Sequence, residues 1–200
     1  MSKPTPRPPK KLTNEKFVNL YSLAHVTSTR ASQWIFASRK SPEFAGTVSA
    51  DGVVIIAVVP TAAGERLLVT REFRLPIDCH ELSLPAGLID DGESIETAAA
   101  RELHEETGMT LTKIFHISPP VASSAGLSDE CVCLLYGEAE GTLARDFQTE
   151  HEDIEARLLS LDDVRTILRA PGADVISSRL YPMLVGFAAA GSFRFPALAQ

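Results

Sequence analysis

Residues 87–109 read GLIDDGESIETAAARELHEETGM, and they decide the fold. Ile95 to Thr107 contains no Gly or Pro and is rich in Ala, Glu and Leu, which predicts a helix. Ser94 is a suitable N-cap, and Gly108 fits the C′ position at which helices end in a left-handed residue. With Ile95 at 0° and an advance of about 100° per residue, Ala98 falls at about 300°, Ala99 at about 40° and Leu103 at about 80°. That side is the apolar, core-facing one. The acids fall with it: Glu102 at about 340°, Glu105 at about 280° and Glu106 at about 20° on the same projection. His104 and Thr97, at about 180° and 200°, hold the opposite side.

A solvated acidic face would put those glutamates near 180°. Three carboxylates on the inward side instead repel one another, and each is costly to bury unpaired. Only Arg101 lies nearby in sequence, at about 240°, and one cation does not balance three anions. A hard divalent cation does. Oxygen ligands with no His or Cys at metal spacing point to Mg²⁺ or Mn²⁺. Mg²⁺ keeps several waters and bridges to substrate phosphates, so this pattern suggests metal-assisted phosphoryl chemistry.

Working outward from the helix, strands predominate. Leu20–Thr29, Gln33–Arg39, Val53–Val59 and Arg66–Arg74 have strand composition, with turn signals at Asp51-Gly52 and Ala63-Gly64. His80–Leu84 is a short strand stopped by Pro85, and Leu111–Ile117 and Glu130–Gly137 are strands around a polar loop at Ser123–Asp129. Gly141–Asp153 reads as a long polar loop and Ile154–Ser160 as a strand. Leu161–Arg169 and Val175–Ala190 read as helices. Mixed order with strands in the majority predicts an α+β fold, with helices packed on a mixed sheet.

Composition sets the outer limits. The chain has 200 residues, 44% hydrophobic and 22% charged, which is ordinary for a globular protein with a real core. Residues 1–11 hold four of the 13 prolines and read as a disordered tail. The longest apolar run, Val53 to Pro60, is far short of the roughly 20 residues of a membrane span. No signal peptide is evident, and three cysteines are too few and too odd for a disulfide framework. A reducing cytoplasm fits best. Cys131 and Cys133 share one face of a strand but have no second pair to build a zinc site.

Charge is unevenly spread. Residues 1–40 carry eight Lys/Arg and one Asp/Glu, while residues 41–200 carry 11 and 25. The acidic body argues against nucleic acid as a partner and suits a protein that gathers divalent cations.

The chain resembles the Nudix hydrolases. Their signature is matched by Gly87, Glu93, Arg101-Glu102-Leu103, Glu105-Glu106 and Gly108-Met109, at every fixed position. The resemblance implies an αβα sandwich around a mixed sheet, in which a loop–helix–loop holds the metals. It implies that Glu102, Glu105, Glu106 and the Ala86 backbone carbonyl ligate Mg²⁺, with Mn²⁺ as a substitute. Glu93 and Arg101 would brace the loop against the helix.

Flanking residues look like the ADP-ribose pyrophosphatase branch. Arg71-Glu72-Phe73-Arg74 resembles its Gln-Phe-Arg strand, which makes Arg74 a substrate contact. The run from Pro85 to Asp90 resembles its Pro-Ala-Gly-Leu segment, which adds Ala86 and Leu88 to the substrate site. Trp34 and Arg39 resemble a pair that stacks on adenine and reaches across a homodimer interface. Glu150-His151-Glu152-Asp153 resembles the acidic loop that supplies the catalytic base, here assigned to Glu150, with His151 as a rival. Glu105 and Glu106 would serve the chemistry alongside it. Two positions depart from the branch: Ala125 replaces a loop proline, and Ser83 replaces an acid for which Glu81, two residues earlier on the same face, would substitute.

These features together predict Mg²⁺-dependent hydrolysis of ADP-ribose or a related ADP-sugar to AMP and a sugar phosphate. Residues 12–48 would form a dimerising strand region, and residues 49–200 the catalytic domain. The alternatives are another nucleoside diphosphate sugar or coenzyme as substrate, and a non-catalytic nucleotide-binding module.

Overall fold

The computed structural model describes residues 8–26, 30–42, 48–148, 153–170 and 172–194. In chain order its elements are β1 (Lys10–Lys11), β2 (Asn19–Val26), β3 (Ala31–Ser38), β4 (Gly52–Thr61), β5 (Gly64–Arg74), a 3₁₀ turn (Leu75–Ile77), β6 (Cys79–Ser83), β7 (Ala86–Leu88), α1 (Ile95–Thr107), β8 (Thr110–Ile117), β9 (Val121–Ala122), β10 (Cys131–Glu140), β11 (Glu155–Leu159), α2 (Leu161–Arg169), β12 (Val175–Ile176) and α3 (Leu180–Ala190). The chain divides into two compact units, one of residues 1–51 with 120–132, the other of residues 52–119 with 133–200.

The first unit is built on an antiparallel sheet in the order β1-β2-β3. Lys10–Lys11, inside the stretch expected to be tail, pair with Ser22 and Tyr21. Tyr21 and Phe36 lie opposite one another and stack at 5.9 Å, an aromatic cross-strand pair of the kind that stabilises a sheet face. Trp34, Ile35 and Leu20 are exposed. Ser38 at the end of β3 donates to Asp129, and Arg39 pairs with Glu130 at 3.3 Å, so the Ser123–Glu130 loop is tied to β3 by its acids.

The second unit holds the longer sheet, in the order β12-β6-β5-β4-β10-β8, with β7 on β4 and β11 on β5. All the registered pairings of this unit are antiparallel except β12 on β6, so the sheet is mixed and the fold is α+β. Strand β4 explains the arrangement. Its residues Val53, Ile55, Ala57 and Val59 pack with Leu68, Leu135 and the Ala98, Ala99 and Leu103 face of α1. The alternate residues Val54, Ile56 and Val58 are buried as well, so both faces of the strand are covered. A strand covered on both faces needs a continuous β-branched run rather than alternation, which is what residues 53–59 supply.

The predicted helix over Val175–Ala190 is corrected. Val175 and Ile176 form β12 and pair in parallel with Glu81 and Leu82, and α3 begins only at Leu180. The β-branched pair completes the sheet edge at β6, and the Ser177 hydroxyl then receives the Leu180 N–H as the chain turns into the helix. Just upstream, Asp174 receives a two-point bond from Arg71 of β5 at 2.7 and 2.9 Å. That guanidinium holds the Asp174 carboxyl below its ordinary range.

The depressed value fixes a sign. Asp174 contributes stability above the unfolded carboxylate pKa of about 4, and the contribution is lost as pH falls through the lower folded value. Asp174→Asn is therefore expected to lower the urea midpoint at pH 7, with the mutant and wild-type curves converging toward pH 2. An equal gap at both pH values would remove the ion pair as the cause.

Candidate active site

Helix α1 forms where the sequence predicts it, over Ile95–Thr107. The Ser94 hydroxyl accepts the Thr97 N–H at 3.2 Å, and Gly108, at φ 73°, donates to the His104 carbonyl. A side chain at position 108 would also run into the backbone of Ala144, so glycine is required there twice over. The buried residues of the helix are Ala98, Ala99, Glu102, Leu103, Glu106 and Thr107. Two of the three acids that the projection places on the core-facing stripe, Glu102 and Glu106, are thus buried. Glu105 sits at its margin, with its side chain 35% exposed.

Arg101 organises the site. Its Nε and Nη2 make a two-point bond to Glu93 at 3.0 and 2.8 Å, and Nη2 also donates to the Leu88 carbonyl at 3.0 Å. Nη1 donates to Glu102 at 2.8 Å and to Glu105 at 3.2 Å. The guanidinium first, and the Asp90 N–H second, hold the Glu93 carboxyl below its ordinary range. The Glu93 partnership in turn raises Arg101, so its charge is permanent. Bracing of the loop by Glu93 and Arg101 is what the family resemblance implies. That Arg101 also holds Glu102 and Glu105 goes beyond it.

Strand β7 supplies the other wall. Ala86 N–H donates to Glu106 Oε2 at 3.2 Å. A Cβ on Gly87 would fall inside the Glu102 carboxylate, so the glycine exists to let that carboxylate lie on the backbone. These features test the fit of a divalent cation. The donors are all oxygen, two of the acids are buried, and the backbone opposite is cleared for one of them, which suits a hard cation. The carboxylates do not, however, converge as they stand. Among the described residues no three acidic, imidazole or thiol groups surround a common ion position. Glu102 and Glu105 turn to Arg101, and a cation would draw them from it.

The remaining predicted residues are dispersed. Arg74, at the end of β5, is half-exposed and pairs with Glu72 at 2.7 Å and with Glu81 at 3.1 Å. Leu88 has its side chain exposed and its carbonyl on Arg101. Trp34 and Arg39 belong to the first unit, Trp34 being 53% exposed. Glu150, with His151 and Glu152, lies outside the described residues.

Gln148 and Asp174 were not anticipated. Neither carries a sequence signal: one is a polar residue in a polar loop, and the other finds its partner Arg71 103 positions away.

A mixed sheet carrying a glycine loop, an acid-striped helix and an arginine clasp defines a class. The NUDIX domain model matches residues 51–181, and the chain belongs to that family. Among its relatives are an ADP-ribose pyrophosphatase of Saccharomyces cerevisiae, 35% identical over 62% of this chain and 53% of that one, and an ADP-sugar pyrophosphatase of Mus musculus, 36% identical over 63% and 60%. An ADP-ribose pyrophosphatase of Bacillus subtilis is 28% identical over 58% and 62%. The chain thus spans less than two thirds of the length of these relatives. A crystal structure of an ADP compounds hydrolase superposes with a TM-score of 0.69 over 96% of both chains at 18% identity, which establishes the shared fold.

Proposed function

We propose that this protein hydrolyses the diphosphate bond of ADP-ribose or a related ADP-sugar, releasing AMP and a sugar phosphate. The observation that carries the reading is the pair of buried glutamates: Glu102 lies on the cleared backbone of Gly87 and is held by Arg101, and Glu106 accepts the Ala86 N–H. Burying carboxylates on a core-facing stripe is costly, and a hard cation with a diphosphate gives them a use. The substrate class rests on the names of the relatives in yeast, mouse and Bacillus subtilis.

Glu102, Glu105, Glu106 and the Ala86 carbonyl would hold Mg²⁺, with Mn²⁺ as a substitute. When bound, the cation neutralises the diphosphate and makes water a better nucleophile. Arg101 keeps Glu93 and the Leu88 carbonyl against α1, so the loop stays braced on the helix when Glu102 and Glu105 serve the cation. Glu150 accepts the proton of the attacking water. The water oxygen bonds to one phosphorus, the bridging P–O bond breaks, and its electrons leave with the other phosphate. Arg74 binds phosphate or the terminal ribose, and Ala86 and Leu88 line the substrate. Trp34 stacks on adenine, with Arg39 beside it.

Residues 12–48 are proposed to dimerise the protein, with Leu20 and Ile35 exposed on one face of the β2–β3 ladder and Trp34 exposed on the other, and residues 49–200 to form the catalytic domain. Among the described residues no helix is long and apolar enough to cross a membrane. A cytoplasmic placement is proposed from the cysteine content, three free thiols suiting a reducing compartment. Trp34→Ala is expected to raise KM for ADP-ribose several-fold with kcat nearly unchanged, because stacking is made in the ground and transition states alike. Light scattering of the wild type tests the dimer. An unchanged KM removes Trp34 from the site, and a monomeric wild type removes the shared-site arrangement.

Substrate choice is tested by AMP release from ADP-ribose, ADP-glucose, NADH and diadenosine phosphates at matched concentration. The reading expects ADP-ribose or ADP-glucose to give the highest kcat/KM. A preference for NADH or a diadenosine phosphate would move the protein to another substrate class.

A further inference from the structure

The loop between β1 and β2 is locked in shape, yet its outer side is bare. Leu12 N–H donates to the Leu20 carbonyl at 2.8 Å, and Leu20 N–H to the Thr13 hydroxyl at 2.9 Å. The buried Asn19 side chain closes the loop from within. Its Oδ1 accepts the Glu15 N–H at 2.7 Å, and its Nδ2 donates to the Glu15 carbonyl at 2.9 Å. One amide thus pins both backbone groups of Glu15, and residues 14–18 are left exposed.

What the lock presents is apolar. Phe17 is 70% exposed, and Leu12 and Val18 of the same loop are exposed as well. Single exposed apolar residues are ordinary on a protein surface, but three within one short loop make an uncovered tip. Its surroundings are basic. Lys16 Nζ lies 4.7 Å from the centre of the Phe17 ring, and Lys10 and Lys11 of β1 are exposed. Glu15 is the one acid of residues 1–40, against eight Lys/Arg, whereas residues 41–200 carry 25 acids against 11.

We propose that this loop docks the protein on an anionic lipid bilayer, with Phe17 in the headgroup layer and the lysines on the lipid phosphates and carboxylates. An aromatic ring among lysines matches an interface that is wet and negative outside and apolar beneath. Peripheral docking of this kind needs no membrane-spanning helix. Two other occupants fit less well. A second copy packed about a two-fold axis would set the same tip against itself, lysine against lysine. A nucleic acid strand is held by flat rings, and two of the three apolar residues here, Leu12 and Val18, are aliphatic.

The test is co-sedimentation of the full chain with sucrose-loaded vesicles of phosphatidylcholine and phosphatidylserine, about 7:3, against phosphatidylcholine alone. Binding is expected to the mixed vesicles only, and to fall as salt shortens the screening length from about 10 Å at 0.1 M to about 3 Å at 1 M. A lysine near such a surface contributes about fivefold, so replacing Lys10, Lys11 and Lys16 together by Gln should cost about 100-fold in partition. Phe17→Ala should cost about tenfold. All four side chains are exposed, so both variants are expected to keep the wild-type circular dichroism and melting temperature.

Equal binding to both vesicle types, or binding to neither, overturns the proposal. So does wild-type partition of the lysine variant, or of Phe17→Ala, which would leave a charged patch with no inserted side chain. A fall in light-scattering mass on Phe17→Ala puts the tip between two copies instead. Retention of a single-stranded oligonucleotide that the lysine variant loses, without vesicle binding, makes nucleic acid the occupant. None of these readouts depends on AMP release, so they stand or fall apart from the proposed function.

Discussion

Glu106→Gln is expected to lower kcat/KM for ADP-ribose by about 10² to 10³, the range seen when one group stabilising transition-state charge is removed. The substitution is chosen to separate charge from shape. A glutamine at 106 still offers an oxygen to the Ala86 N–H, now at 3.2 Å from Glu106 Oε2, so β7 and α1 keep their contact. What disappears is one negative charge from a stripe that buries two carboxylates. Relief of that repulsion is expected to leave the metal-free melting temperature unchanged or raised. Affinity for Mn²⁺, read by electron paramagnetic resonance, should fall in parallel with activity. A variant of full activity, or one whose losses follow unfolding, would contradict the role given to the acid stripe.

Glu150→Gln is expected to lower kcat by about 10² to 10⁴, the usual worth of general-base assistance, with KM little changed. The helix acids are poor candidates for the base. Glu102 and Glu105 are engaged by Arg101, and Glu106 by the Ala86 N–H, and the same groups would be needed for the cation. A base outside the helix is then required, and Glu150 follows two residues after Gln148, whose side-chain amide donates to the Glu106 carbonyl at the helix end. Mn²⁺ affinity should persist in Glu150→Gln, which separates it from Glu106→Gln. Near-normal kcat here, with loss in Glu152→Gln or His151→Ala, would move the base within the same stretch. Activity in all three variants would remove the base from that stretch altogether.

What could be read from the sequence follows from the range of the interactions involved. Helix α1 was legible to the residue, because Ser94 and Gly108 act within four positions of the backbone groups they satisfy. The acid stripe was legible for the same reason, since helical periodicity places Glu102 and Glu106 with Ala99 before any tertiary contact is known. The continuous Val53–Val59 run announced a strand covered on both faces, and it is one.

Legibility failed where an element depends on a distant partner. Val175-Ile176 looks like the start of an apolar helix, and only the open edge of β6 makes it a strand. Ala86–Leu88 is too short and too rich in glycine to read as β7, and it exists because Gly52–Val54 pairs with it. At the site, the sequence placed Arg101 on the flank of the stripe, but its reach to Glu102 and Glu105 depends on side-chain conformation rather than helical angle. Gln148 finds its carbonyl 42 residues away, and no local pattern encodes that.

The carboxylate helix is proposed to serve cation-dependent cleavage of an ADP-linked diphosphate. The most direct test is the rate of AMP release from ADP-ribose by the wild-type chain, titrated with Mg²⁺ from excess chelator upward. The expected result is no release in chelator and a saturable rise with Mg²⁺. Release undiminished by chelator, or none at any Mg²⁺ concentration, would contradict it.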